Sequence, residues 1–339
     1  MSVRRGSTLV AAAITFLILT ACSEGGPSVL EPRSEAGERV ERLWWLTCWI
    51  SVIVVLFVIA FVLRAVQRGR QAPKEGDEAE DVDKRPVPWG ERFIVVAGLV
   101  VSGVILAATF VFSLRELNAL AEPPKEPTLS IDVIGRNWWW EVRYPNGAVT
   151  ANEIHIPVGE PVEINLATAD VIHSFWVPQL NVKKDQVPGM ENRLWLVADE
   201  PGRYRGQCTE FCGLQHARMV FYVDAEPRAQ FDQWLAREGA PARSPAGGTA
   251  STGQNIFLNS SCAGCHAVRG TTAAGVLGPD LTHLASRSTI GAGLLPLQRA
   301  TLSDFVLNAQ HTKPGASMPP TEISPDELSA LIDYLMGLE

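Results

Sequence analysis

Charge is what this sequence is short of. Only 19% of its 339 residues are Asp, Glu, Lys or Arg, against 46% hydrophobic, a balance that excludes an extended disordered chain. Basic residues are outnumbered 29 to 37, so the formal charge is −8 and nucleic acid is excluded as a natural partner. Cysteine is scarce too, and six residues are too few for a scaffold stapled by disulfides. Four of the six stand in two pairs beside histidines, Cys208/Cys212 and Cys262/Cys265. Cys22 and Cys48 fall at the end of one apolar run and inside another.

The apolar runs come first in the chain. Arg4 and Arg5 precede a stretch over residues 9–19 that closes on Leu19-Thr20-Ala21-Cys22. A basic start, a short apolar stretch and small residues read as a secretory signal over residues 1–21. The Leu-Thr-Ala-Cys ending resembles a bacterial lipoprotein cleavage site with Cys22 lipidated; a plain signal peptide or a retained anchor is the competing reading. Residues 43–63 and 93–114 contain no charge, and each is long enough to cross a hydrocarbon core of ~30 Å as a helix. Between them lie Arg64, Arg68, Arg70, Lys74, Lys84, Arg85 and Arg92, which place the connecting loop in the cytoplasm by the positive-inside rule. Residues 40–115 are therefore expected to form a multi-pass hairpin in a bacterial cytoplasmic membrane, with everything later on the outer face. Glu91, at the cytoplasmic start of the second helix, is an ordinary helix-end charge or a proton feed to a partner.

Residues 125–238 change to short alternating stretches. Val162, Ile164 and Leu166 alternate with Glu163 and Asn165, and similar stretches cover 129–134, 138–144, 153–156, 171–177, 193–197 and 219–223. Asn146-Gly147 is a hairpin signal, and many short strands in about a hundred residues indicate an all-β Greek-key sandwich or barrel. Pro227 opens an amphipathic helix with Phe231, Trp234 and Leu235 on one side. Cys212, His216 and Met219 with a distant His173 would alone read as a blue-copper site. Cys208, four residues earlier, supplies a second thiolate, and two thiolates on one loop can bridge two copper ions. A zinc site or a Cys208–Cys212 disulfide is the competing reading, and zinc leaves the ordered His–Met pair unexplained.

The Cys208-x-Glu210-x-Cys212-x3-His216-x2-Met219 loop, His173 and the preceding hairpin closely resemble subunit II of cytochrome c oxidase. The resemblance covers residues 40–225 and includes the binuclear CuA motif on a cupredoxin-like fold. It implies that Cys208 and Cys212 bridge the coppers, completed by His173, His216, Met219 and the backbone carbonyl of Glu210. It also implies that the Glu210 carboxylate reaches a Mg²⁺ shared with subunit I, and that Trp138, in Trp138-Trp139-Trp140, receives the electrons. Asp170 and Asp185 match the pattern around the copper loops or are solvated loop carboxylates. His155 has no evident partner and reads as a surface residue.

Residues 239–250 are rich in Gly, Ala, Pro, Ser and Thr and read as a flexible linker. After them, Cys262-Ala263-Gly264-Cys265-His266 is the c-type haem attachment signature. Two thiols can form thioethers with the haem while His266 reaches the iron. Residues 251–339 suit a small all-α cytochrome c domain, with helices near 252–258, 301–310 and 325–337. Gly278-Pro279-Asp280-Leu281 resembles the loop that packs on haem in that family. Met318, in Gly315-Ala316-Ser317-Met318-Pro319, is the expected sixth ligand; His311 competes for that role, and His283 reads as structural.

The whole chain thus resembles subunit II of a bacterial haem–copper terminal oxidase with a fused cytochrome c domain. The resemblance implies electron delivery from an external donor, a cytochrome c or a quinol–cytochrome c reductase, to an oxygen-reducing, proton-translocating subunit I, with subunit III as a further partner. The oxygen-reducing site itself would lie in the partner. Two other readings fit the same ligands: the input subunit of a CuA-containing nitric-oxide reductase, and a membrane-tethered carrier without a catalytic partner. Two membrane helices argue against the carrier, which needs one anchor, and intact copper ligands argue against a quinol-oxidase subunit.

Overall fold

The computed structural model describes residues 28–70 and 88–339. Residues 1–27, on which the expected signal segment and lipidated Cys22 fall, and residues 71–87 of the basic loop lie outside the described residues. Both charge-free runs fold as helices. The first, Glu35–Arg70, carries Glu35 and Glu38 in its first turn and Arg68 and Arg70 in its last, which complements the helix dipole. The second runs from Pro88–Val95 through a π-helical stretch, Val96–Val101, into Ser102–Ala121. Both are long and apolar enough to cross a membrane, and the chain itself covers none of their most apolar segments. Phe61 stacks on Phe93 at 5.3 Å and Arg39 pairs with Glu116 at 3.0 Å, so the helices pair along their length. Their outer ends are tied to the next domain: Ser34 Oγ donates to Leu180 O at 2.6 Å, and Trp195 Nε1 to Leu120 O at 3.1 Å.

Ten strands follow: β1 (Leu129–Arg136), β2 (Trp139–Arg143), β3 (Val149–Ala151), β4 (Glu153–Pro157), β5 (Val162–Thr168), β6 (His173–Trp176), β7 (Lys184–Gln186), β8 (Asn192–Leu196), β9 (Gly202–Cys208) and β10 (Val220–Glu226). They form two five-stranded sheets, β3-β2-β1-β5-β8 and β4-β10-β9-β6-β7. β1 runs parallel to β5 and β4 parallel to β10, so the chain crosses between sheets as a Greek-key sandwich requires. Alternation drives the packing: Val162, Ile164 and Leu166 of β5 are fully buried, facing a core that includes Trp140, Phe175 and Phe221. Asn146-Gly147 does turn a hairpin, with β2 and β3 antiparallel and Gly147 at φ +84°. Helix Arg228–Gly239 follows Pro227 and buries Phe231 and Trp234.

Three sequence expectations change. Trp138 lies in the turn before β2 and not in a strand. β9, which delivers Cys208, escapes the alternation rule because its inward positions are Tyr204, Gly206 and Cys208. A Cβ at Gly206 would sit 2.2 Å from Phe221 Cζ, so glycine is what lets that ring fill the core. His155 is not on the surface: its ring stacks on Trp234 at 3.9 Å, and Nδ1 lies 3.3 Å from Glu226 Oε1.

The C-terminal domain is built on helices Gly248–Asn259, Arg299–Leu307 and Pro325–Leu335, around Phe257, Leu302, Leu331 and Tyr334. Its first and last helices cross at Gly253, where a Cβ would fall 1.9 Å from Ala330 O. Gly253→Ala is therefore expected to destabilise this domain by about 1–3 kcal/mol through overpacking, and so to lower its unfolding temperature. The sandwich should melt as in the wild type, which differential calorimetry checks.

The segment of linker composition is bonded to the domain after it. His283 Nε2 donates to Ala240 O at 2.9 Å, and Ala242 N to Arg269 O at 2.9 Å. The Arg269 guanidinium reaches Gly147 O at 3.0 Å and Gly239 O at 3.2 Å. Across the same interface buried Glu153 accepts from Ser288 N at 3.0 Å and Ser288 Oγ at 2.7 Å. Burial would raise the Glu153 carboxyl, but Ser288 and Arg203 outweigh it and hold the group below the usual range. The two outer domains are thus fastened by polar contacts on several sides.

Candidate copper and haem sites

The first site forms where two neighbouring strands end. Phe175 of β6 pairs with Cys208 of β9, so His173 at the start of β6 comes beside Cys208. The loop 209–219 then folds back and returns Cys212, His216 and Met219 to the same place. Cys208 Sγ lies 3.8 Å from Cys212 Sγ, 3.9 Å from His173 Nδ1 and 3.2 Å from Glu210 O. Cys212 Sγ lies 3.8 Å from His216 Nδ1 and 3.9 Å from Met219 Sδ. A disulfide needs its sulfurs about 2.05 Å apart, so the two thiols are free. Two donors held about 2.0–2.3 Å from one metal at tetrahedral angles stand about 3.3–3.8 Å apart, close to the 3.8–3.9 Å between sulfur and its sulfur or imidazole neighbours here. Soft sulfur with imidazole is a copper-type donor set, so the residues fit the metal.

Second contacts orient these donors. His173 Nε2 donates to Asp170 Oδ1 at 2.8 Å, which leaves the Nδ1 lone pair turned to Cys208. Burial pulls the His173 ring down, but the Asp170 hydrogen bond and Cys208 outweigh it and raise the group. Asp170 also accepts from Asn137 N and Val171 N, both at 2.7 Å, so this loop carboxylate is built in and not merely solvated. Gly135 of β1 makes room, since a Cβ there would lie 2.7 Å from His173 Cδ2. The thiols titrate as a coupled pair driven apart: hydrogen bonding from Cys212 pulls Cys208 down, while that contact and burial push Cys212 up. Asp185 accepts from Ser174 Oγ at 2.7 Å, and the Glu210 carboxylate lies 3.9 Å from Lys183 Nζ. Glu91 falls in the first turns of the second membrane helix, within Pro88–Val95.

The second site is a single helical turn, Cys262–Cys265, with His266 leaving it in an extended conformation. His266 Nδ1 donates to Pro279 O at 2.7 Å, which fixes the tautomer and frees Nε2. Burial, with Arg287 adding, lowers the His266 ring against the hydrogen bond to Pro279, so the imidazole is held neutral as an iron ligand must be. The loop 275–278 passes directly over it: a Cβ at Gly278 would meet His266 Cε1 at 2.5 Å, and one at Gly275 the Cys265 carbonyl carbon at 2.4 Å. Met318 is half-buried on a loop shaped by Gln310, whose Nε2 donates to Met318 O at 3.0 Å and whose Oε1 accepts from Gly315 N at 2.8 Å. His311 is exposed, whereas His283 is buried and bonded to Ala240. The donor set and its close cradle fit a c-type haem.

The two sites meet at Trp138. Its Nε1 donates to Cys212 O at 2.7 Å. A Cβ at Gly213 (φ +107°) would lie 3.1 Å from Trp138 Cζ2, and one at Gly315 (φ +86°) would lie 3.6 Å from Cη2 and Cζ3. The indole is therefore wedged between the copper-type loop and the methionine loop. Lys313, Gln310, Gln215 and Arg218 also act at this junction. No motif marks them, and only the position of Gln215 and Arg218 inside the metal loop hinted at them.

Residues 147–226 match the family described as cytochrome c oxidase subunit II, periplasmic domain, and residues 250–339 match cytochrome c. The cytochrome c oxidase subunit 2 of Alkalihalophilus pseudofirmus is 41% identical over 214 residues, 62% of each chain. That of Bacillus sp. (strain PS3) is 34% identical over 242 residues, 67% of each, and that of Bacillus subtilis 29% over 348 aligned positions, 96% of each. The match thus spans less than two thirds of the first relative and nearly all of the third. Fold and sites together define a protein with two apolar helices, an outer-facing copper-type domain and a cytochrome c domain. The copper domain implies copper and the cytochrome domain implies haem c. The chain belongs to the cytochrome c oxidase subunit II family, in the form with a C-terminal cytochrome c domain.

Proposed function

We propose that this chain is the electron-input subunit of a bacterial haem–copper terminal oxidase, taking electrons from a donor cytochrome c and passing them to an oxygen-reducing subunit I. The reading rests on the position of Trp138, whose indole touches both the loop that carries Cys212 and the loop that carries Met318. Cys262, Cys265, His266 and Met318 would hold haem c, and Cys208, Cys212, His173, His216, Met219 and the Glu210 carbonyl a binuclear copper. When bound, these groups supply the two one-electron couples. The chain's own residues set the conditions around them. Cys208, Cys212, Met219 and His173 are themselves buried from water, Asp170 holds His173 in one tautomer, and Pro279 does the same for His266.

Trp138 contributes the path. Its ring spans the gap, and its hydrogen bond to the Cys212 carbonyl ties the indole to a ligand residue. The half-exposed Glu210 carboxylate would offer oxygen to a Mg²⁺ shared with subunit I, a hard cation that prefers such ligands. Subunit III completes the proposed assembly, and a lipid on Cys22 would add a third anchor on the outer face.

Trp138→Phe in the purified complex tests the route. The substitution touches no ligand and keeps most of the aromatic volume, but removes the indole N–H and the ring edge that meets Gly315. Haem and copper spectra are expected to stay normal while reduction of copper by haem c slows markedly in stopped flow. Equal transfer rates with both centres loaded would remove Trp138 from the path. Oxygen consumption by the same complex, without turnover of nitric oxide, would assign the acceptor.

A further inference from the structure

Residues 312–315 of the cytochrome domain touch the copper domain one after another. Arg218 Nη1 donates to Thr312 O at 2.9 Å, Gln215 Nε2 donates to Pro314 O at 2.8 Å, and Gly315 packs on Trp138. Between them Lys313 turns inward and is only 4% exposed. Its Nζ donates to Trp138 O at 2.9 Å and to Arg218 O at 3.0 Å. Neither acceptor is charged, and among the described residues no carboxylate lies within ion-pair distance of it.

A buried ammonium on backbone carbonyls loses its hydration and gains no counter-charge, so as simple adhesive it is inferior to an apolar side chain of the same size. What it adds is register. One carbonyl belongs to the residue whose indole bridges the two sites, and the other to the residue immediately before Met219. On the cytochrome side the same lysine is fixed through its backbone: its N–H donates to Ala309 O at 2.8 Å and its carbonyl accepts from Ala316 N at 3.0 Å. Gln310 then links Ala316 and Met318, donating to both carbonyls, at 2.5 and 3.0 Å. A continuous set of hydrogen bonds therefore runs from the copper-type loop through Lys313 to the backbone of the methionine ligand.

We propose that Lys313 is the positioning residue that sets the distance and orientation of the methionine loop against Trp138, and so the electronic coupling between the two domains. The proposal rests on the electron route proposed above. Tunnelling falls off exponentially with separation, so a small loosening of this contact is felt in the rate. Burial, with Arg218 adding, lowers the Lys313 ammonium to about 7. The neutral amine still carries the two N–H groups that two carbonyls need, so the contact holds in either protonation state.

Lys313→Met in the full complex keeps most of the length of the side chain and removes its donors. Haem and copper content should match the wild type, haem-to-copper transfer should slow severalfold, and amide deuterium uptake should rise in residues 309–318 and 213–219. Lys313→Arg, which retains donors for both carbonyls, should recover most of the rate. If Lys313→Met does not assemble, Lys313→Gln is read by the same two measurements. Wild-type rate and uptake in the variant overturn the proposal. So does slowed transfer with wild-type uptake, because the loss would not then come from positioning. A wild-type complex that fails to pass electrons from haem to copper overturns the underlying route instead, and the uptake measurement, which needs no electron donor, still judges the contact.

Discussion

Cys212→Ser should destroy the binuclear copper signal while leaving haem c attached. Cys212 Sγ is the hub of the site, 3.8 Å from Cys208 Sγ, 3.8 Å from His216 Nδ1 and 3.9 Å from Met219 Sδ. Serine is nearly the same size, so the loop keeps its shape and the Cys212 carbonyl can still accept from Trp138. What is lost is the soft donor: a serine hydroxyl stays protonated and hard, and copper in a thiolate and thioether environment has no use for it. In the binuclear arrangement proposed above, loss of one of the two sulfurs would also end electron sharing between two metals. The expected result is loss of the mixed-valence paramagnetic resonance signal, copper content at or below one ion per chain, and oxygen consumption at background. The haem absorption should be untouched, because Cys262, Cys265 and His266 lie in the other domain. A wild-type copper signal in this variant would sink the assignment.

The parts legible in the sequence are those whose chemistry is local in the chain. A charge-free run long enough to span a bilayer, a Cys-x-x-Cys-His turn and a Cys-x3-Cys-x3-His-x2-Met loop each carry their constraint within a few residues. Folding then had only to bring in His173, which β6 delivers by pairing with β9. Illegible were the contacts made only by packing. β9 hides because Gly206 stands where an apolar residue would announce a strand, and the apolar volume comes from Phe221 on the neighbouring β10. His155 looked solitary because Glu226 and Trp234, which enclose it, are far along the chain. Trp138 reads as part of an aromatic strand, yet its position in the turn before β2 is what frees its ring to reach Gly213 and Gly315. Lys313 had no signal, since its acceptors are backbone carbonyls that no side-chain pattern marks.

Met318→Ala should keep haem c covalently bound and cost the iron its sixth ligand. Attachment depends on Cys262 and Cys265, which the change does not touch. The loop should also survive, because Gln310 holds its backbone through Ala316 O, Met318 O and Gly315 N and makes no use of the Met318 side chain. Substitute ligands are poorly placed. His283 Nε2 is already bonded to Ala240 O on the linker side, and exposed His311 belongs to the helical turn Ala309–Thr312 whose cap Asn308 secures. An open coordination position therefore follows, with a high-spin spectrum. The potential should fall, since a thioether is the ligand that raises it. A redox titration with the absorption spectrum reads both effects. Copper should still load, because no donor of the sandwich is altered, so slower turnover in this variant would trace to the haem alone. A low-spin spectrum and an unchanged potential would pass the ligand role to His311, and His311→Ala in the same background would then have to abolish them.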